Sequence, residues 1–271
     1  MCKVEICMNE KNVQYLKDWF FHYVQKFKQG DINFQENITL KENHTMRVCK
    51  EIVDIGKQIG LNNDELRLAE VIALFHDIGR FEQYAYYRTF VDNKSVNHAE
   101  LGVQILKDNK VLVALDESKQ SLILRTISYH NRASLPKNET DACLMYTKLL
   151  RDADKLDIWR VVTDYYNQKN GKQNAALELD LPNTSGVSEA VCQDIINSRI
   201  VDIKHLKNLN DFKLLQMGWV FDINFDATFH CVQSRRYMEM IGDALPKSKD
   251  IQDVIGIIQL YLRKQVQKEV E

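Results

Sequence analysis

The sequence predicts an all-α fold, on three observations. Only 10 glycines and 3 prolines are spread over 271 residues, too few for the many tight turns of a β-sandwich or barrel. Apolar residues recur at three- and four-residue steps in one stretch after another. Long stretches of lysine, glutamate, leucine and isoleucine agree. With 45% hydrophobic residues, the chain is long enough for one large core or two small ones.

Residues 9–29 carry Val13, Leu16, Trp19, Phe20, Tyr23 and Phe27 on helical spacing and predict a packing helix. His22 lies among them without an acidic partner at ligand spacing, so it reads as core or surface. Residues 30–41 read as a polar connector. The next helix is expected to start at Glu42 or Asn43, with His44 in its first turn and Val48, Ile52, Ile55 and Ile59 continuing the stripe. Another helix opens near Asn63 or Asp64, with acidic residues in the first turn as the helix dipole favours. It runs to His76 and Asp77, and Gly79 is expected to stop it. Residues 81–94 are rich in aromatics without a sustained helical period and read as a loop, lining a pocket or simply packing.

Ser95 or Asn97 then starts a helix with His98 in its first turn, and residues 119–131 form another that places His130 at its C-terminal end. A long helix from about Glu139 carries Asp152, Asp154 and Asp157. Leu150, Asp154, Asp157 and Val161 share one stripe, and a carboxylate on an apolar stripe requires a cation or a donor. Asp152 is offset from that stripe and stands either in solvent or behind a ligand. Residues 167–188 are the clearest break, a linker or mobile insertion, and residues 189–271 look helical again. His205 and His230 read as structural there, with Arg235 and Arg236 beside His230 as a local anionic contact. The expected organisation is a helical domain over 1–166, a polar segment over 167–188, and a C-terminal helical region over 189–271 packed on the same core.

A net charge of −2 advertises no broad nucleic-acid surface, so any phosphate recognition must be local. The cysteines (Cys2, Cys7, Cys49, Cys143, Cys192 and Cys231) form no CxxC pair, which argues against a zinc knuckle or a thioredoxin-like site and for free thiols. No apolar segment reaches the ~18 residues of a membrane span, and charges interrupt the first residues before a signal-length stretch develops. The expectation is a cytoplasmic protein in a reducing setting, with no membrane partner.

His44, His76, Asp77, His98, His130 and Asp154 are metal-competent groups, most of them at helix ends or on inward stripes. A buried His-Asp pair needs such a reason, because a carboxylate is costly to desolvate alone, and a divalent ion uses both groups in their ligand forms. Imidazole and carboxylate without thiolate suit Fe, Mn, Zn, Co or Ni.

The order of these residues resembles the HD-domain metal-dependent phosphohydrolases over roughly residues 40–160. The likeness rests on His44, on His76 and Asp77 within the HDIG segment, and on Asp154 within Ala153-Asp154-Lys155-Leu156. The segments HAELGVQIL and YHN are similar to those bearing further histidines in the HD-GYP branch and other two-metal members. The GYP motif is missing and the paired-histidine segment is reduced to His130, so cyclic dinucleotide specificity does not carry over. The resemblance implies an all-α HD-domain bundle with additional C-terminal helices. It also implies that His44, His76, Asp77 and Asp154 hold one divalent transition metal, and that Asp77 bridges to a second held by His98 and His130. Water activated there would attack phosphorus, with Arg80 binding the substrate and stabilising charge. With a single metal, His98 and His130 would contact phosphate or move a proton. The implied substrate is a small phosphomonoester or phosphodiester such as a nucleotide, and a homo-oligomer is compatible with this reading. The rival reading is a non-catalytic metal-containing module that senses a nucleotide.

Overall fold

Side-chain caps set where the helices begin. The protein is described from a computed structural model, whose described residues are 8–167 and 174–268. Cys2, Cys7 and residues 168–173 of the polar segment lie outside them. The described residues are helical with no strand, an all-α bundle with extra C-terminal helices. They divide into two compact units, Met1–Asp154 and Lys155–Glu271.

The first unit contains α1 (Glu10–Gln25), α2 (Ile32–Gln58), α3 (Asn63–Phe75), α4 (Gly79–Tyr87), α5 (His98–Asp108), α6 (Glu117–Tyr129) and the first part of α7 (Asp141–Tyr166). Asn9, Asp31, Asn97 and Asp116 each accept a first-turn backbone N–H, which satisfies donors the helix itself leaves open. Asn62 and Glu65 form a reciprocal capping box at α3. Helix α3 lies at the centre, packed against α1, α2 and α6, while α4 packs on α2 and α5. Val71, Ile72, Ala73, Leu74 and Phe75 are all fully buried, so this helix is apolar all round its last turns, as a central helix must be.

Two expectations from sequence are corrected here. The connector expected over 30–41 is helical from Ile32, because Asp31 caps the start and Phe34, Asn37 and Ile38 are buried ahead of His44. His44 is therefore well inside α2 and not in its first turn. Gly79 does not stop a helix but begins one, and the first half of the expected loop over 81–94 is α4, which buries Phe81, Gln83 and Tyr84. Nine residues are too short for a periodic signal to stand out. Helix α4 ends where Arg88 turns to φ 56°, and a single 3-10 turn at Asp92–Lys94 precedes α5.

Gly79 is required by close approach. A Cβ there would stand 2.2 Å from the His98 carbonyl oxygen and 2.8 Å from the Gly102 nitrogen. The HDIG segment and the start of α5 are thus in backbone contact, which brings Asp77 toward His98.

The second unit takes the rest of α7, then α8 (Ala175–Glu178), α9 (Glu189–Ile196), α10 (Leu209–Gly218), α11 (Asp226–Ser234), α12 (Tyr237–Asp243) and α13 (Lys249–Gln267). Helix α13 packs on α9, α11 and α12, burying Ile251, Val254, Ile258 and Leu262. Trp159 of α7 is fully buried and donates its indole N–H to the Gln216 carbonyl at 2.8 Å. The division between units falls inside α7, whereas the boundary expected after residue 166 falls at its end. No described helix is long and apolar enough to cross a membrane.

Candidate metal centre

Helix ends deliver most of the site. His76 caps the C-terminus of α3 and Asp77 follows it, His98 opens α5, and His130 caps the C-terminus of α6. His44 projects from within α2 and Asp154 from within α7. All six residues come together in the first unit.

Asp77 is the common member. His44, His76 and Asp77 form one group whose ligand atoms lie within 4.8 Å of one another, and Asp77, His98 and His130 form another. The two carboxylate oxygens divide between them. Oδ2 lies 3.6 Å from His44 Nε2 and 3.7 Å from His76 Nε2. Oδ1 lies 3.4 Å from His98 Nε2 and 4.0 Å from His130 Nε2. Asp154 joins the first group, its Oδ1 being 3.1 Å from His44 Nε2 and 3.8 Å from His76 Nε2.

The outer hydrogen bonds decide which nitrogen of each ring faces inward. His76 Nδ1 lies 2.7 Å from the Ala73 carbonyl, and His130 Nδ1 lies 2.7 Å from the Ile127 carbonyl. His98 Nδ1 meets both oxygens of Asp92, at 2.9 and 2.8 Å. Carbonyl and carboxylate oxygens only accept, so each Nδ1 carries the proton, and in a neutral imidazole Nε2 then presents a lone pair. Burial depresses all three histidines. It holds His98 at about 4, aided by Arg80 and opposed by Asp92. It holds His130 at about 4, aided by His76 and opposed by Asp77 and Asp154. It lowers His76 against the pull of Asp77 and Asp154.

The result is a set of inward lone pairs with too few protons to satisfy them. His98 Nε2 and His130 Nε2 face each other at 3.1 Å, a repulsive contact unless a cation or proton lies nearby. His76 Nε2 is buried without a hydrogen-bond partner. Unsatisfied buried acceptors are costly, and neutral imidazoles converging on carboxylates are the donor set that Fe, Mn, Zn, Co and Ni accept. The residues therefore fit a divalent ion. Asp77 and Asp154 stand ready as anions. Burial alone would raise Asp77, but Lys41, His76, Arg80 and His98 hold it well below the usual carboxylate range. Burial is likewise outweighed at Asp154 by the hydrogen bond and charge of His44 and by His76.

Residues 42–159 match the family model for the HD domain. The chain carries an HD domain. That match spans all six histidines and aspartates of the site, from His44 to Asp154. No curated protein and no solved structure matches.

Arg80 makes contacts within the protein. Its Nη1 donates to Gln83 Oε1 at 2.8 Å, to Asp92 Oδ1 at 2.9 Å and to the Phe90 carbonyl, and its Nε lies 3.5 Å from Asp77 Oδ1. These acceptors belong to the protein, so Nη1 is occupied in holding α4 to the turn before α5. Asp152 is fully buried, which removes the reading of a solvated side chain. His22 is exposed, and His205 pairs with Asp194 at 2.6 Å in the second unit. Neither belongs to the groups above.

Lys41 stands beside the site, and sequence reasoning missed it. Its Nζ donates to Asp77 Oδ2 at 2.7 Å and lies 5.4 Å from the centre of the Phe90 ring. Residues three apart share a helix face, so a helix starting at Ile32 puts Lys41 one turn before His44. Placing the helix start at Glu42 or Asn43 left it out. Asp92, Gln83 and Asn131 were missed for a different reason. Asp92 stands in a turn, Gln83 within the short α4 and Asn131 just past α6, where no period marks them.

Proposed function

We propose that the HD domain of this chain is a metal-dependent phosphohydrolase acting on a small phosphomonoester or phosphodiester, a nucleotide being the model substrate. One observation carries the reading: the two oxygens of Asp77 face separate histidine pairs, and the lone pairs whose direction the structure fixes converge on the space between them. Two ions are the occupancy this favours. His44, His76, Asp77 and Asp154 would hold one ion, while Asp77, His98 and His130 would hold the other. When bound, such ions supply a water nucleophile at neutral pH and positive charge for the phosphoryl oxygens.

The chain's own groups supply the rest. Backbone carbonyls of Ala73 and Ile127 keep His76 and His130 in the tautomer that aims a lone pair inward. The Lys41 ammonium, beside Asp77, is a cation suited to meet a phosphoryl oxygen, alongside Arg80. A cytoplasmic, reducing setting accords with buried thiols at Cys49, Cys143 and Cys192.

Elemental analysis of the purified protein tests the site. One or two transition metals per chain are expected, with a clear loss in His76→Ala; metal-free wild-type protein would refute the reading. A screen of phosphomonoesters, phosphodiesters and nucleotides with Mn or Fe(II) tests the reaction. Turnover of any class supports it, whereas tight nucleotide binding without turnover would make this a sensing module.

A further inference from the structure

The three histidines with known outer contacts are not held alike. His76 and His130 lean on main-chain carbonyls three residues back in their own helices. His98 leans on a carboxylate. Asp92 comes from the 3-10 turn before α5, and both of its oxygens lie within 2.9 Å of His98 Nδ1. A carbonyl i−3 in the same helix is fixed by local backbone geometry, but Asp92 must itself be positioned.

Four side chains converge on Asp92 to do so. Oδ1 accepts from Arg80 Nη1 at 2.9 Å and from Gln83 Nε2 at 2.9 Å, both on α4. Oδ2 accepts from Asn131 Nδ2 at 3.1 Å, directly after His130, and His98 Nδ1 completes the set. Gln83 is fully buried and donates also to Ser95 Oγ and the Val96 carbonyl, each at 2.9 Å. Asn131 reaches Asn97 Oδ1 at 3.0 Å, and Asn97 is the cap of α5. One carboxylate therefore ties α4, the start of α5 and the end of α6 into a single polar cluster behind the His98 and His130 half of the site. Burial would raise this carboxyl, but the His98 hydrogen bond and charge, Arg80 and Gln83 keep it ionised.

We infer that Asp92 is the positioning residue of that half. It holds His98 in the Nδ1–H tautomer and aims Nε2 at the ion shared with His130 and Asp77, while Arg80 and Gln83 orient Asp92. A carboxylate behind a metal-binding imidazole fixes its orientation and raises its basicity, and loss of such a partner lowers metal affinity by about 10- to 100-fold. The inference rests on the metal reading above and adds an asymmetry to it. The His44 and His76 half does not depend on Asp92, so the two ions should respond differently to its loss.

Titration of metal-free full-length protein with Co(II), followed by visible absorption and calorimetry, tests this on wild type, Asp92→Asn and Asp92→Glu. In wild type two ions should bind. In Asp92→Asn one ion should keep its affinity, the other should weaken about 10- to 100-fold with a changed visible spectrum, and Asp92→Glu should recover part of the loss. The metal-free melting temperature reads folding separately: it should fall in Asp92→Asn, because an amide N–H then faces donors where the carboxylate accepts, and the unequal response of the two ions is what separates aim from folding. Two ions at wild-type affinity in Asp92→Asn would overturn the inference. Equal weakening of both ions, failure of both variants to fold, or a single wild-type ion indifferent to the substitution would do the same. Wild-type protein that binds no Co(II) would instead remove the metal reading, and this inference with it.

Discussion

Two buried aspartates, one in each unit, show how burial can mean opposite things. Asp211 of the second unit is fully buried, and its carboxylate is answered by fixed donors: the Ser188 N–H at 2.6 Å, the Ser188 hydroxyl at 2.6 Å and the Lys207 N–H at 2.8 Å. Nothing is left over, and the group pins the segment before α9 to the start of α10. Asp77 of the first unit is equally sequestered, at 3% exposure, yet its neighbours include imidazole nitrogens that offer lone pairs and one lysine that offers charge. Asp211 has all its donors built in, whereas Asp77 accepts from Lys41 and otherwise faces imidazoles that would share a cation with it.

Removing each carboxylate is the most direct way to break this comparison. Asp77→Ala should abolish metal uptake at the shared position and reduce kcat/KM by about 10³-fold or more, the scale of several kcal/mol of charge stabilisation. Elemental analysis and steady-state kinetics would check it, and retained activity would deny Asp77 its central place. Asp211→Ala should do the reverse. It strands two backbone N–H groups and a hydroxyl, each costing ~1–3 kcal/mol when buried unsatisfied, so a loss of about 3 kcal/mol is expected in denaturant unfolding with metal content per folded chain unchanged.

Acid should also separate the two sites. His98 and His130 are held at about 4 in the folded protein against an ordinary value near 6.5. Between those values the unfolded chain binds more protons than the folded one, so stability falls as pH drops from about 6.5 to about 4. The two rings face each other at 3.1 Å and titrate as a pair, and thermal melts of metal-free protein across that window would show the fall. His98→Gln with His130→Gln should flatten the dependence. The smallest effect is expected at Lys41. Lys41→Met keeps the stem and removes the ammonium, and should raise KM for a phosphate ester about tenfold, or ~1.4 kcal/mol, with metal content retained. A fall in kcat alone would place Lys41 on Asp77 and not on the substrate.

How far this was legible beforehand depends on the kind of signal each residue carries. His76 and Asp77 are adjacent in the chain and end an apolar run, so their meeting needs only local geometry. Asp154 stands out as a carboxylate on an apolar stripe. Helix α4 was obscured because it is short, and the start of α2 because Asp31 caps a turn whose polar faces hide Phe34 and Ile38. The contacts of Arg80 were not legible, since its acceptors Asp92 and the Phe90 carbonyl come from a turn that no spacing predicts.

The sequence by itself determined the all-α class, the start of α5 at its capping residue Asn97, and the ordered set of histidines and aspartates within an HD domain. Helical period and capping are local, so they can be read along the chain. Only the tertiary structure decided which Asp77 oxygen faces which histidine pair, that Lys41 joins the site, and that Asp92 stands behind His98. Those relations depend on how separate helix ends converge. That convergence is set by long-range contacts such as the one at Gly79, where the backbone of α4 meets the His98 carbonyl with no room for a side chain.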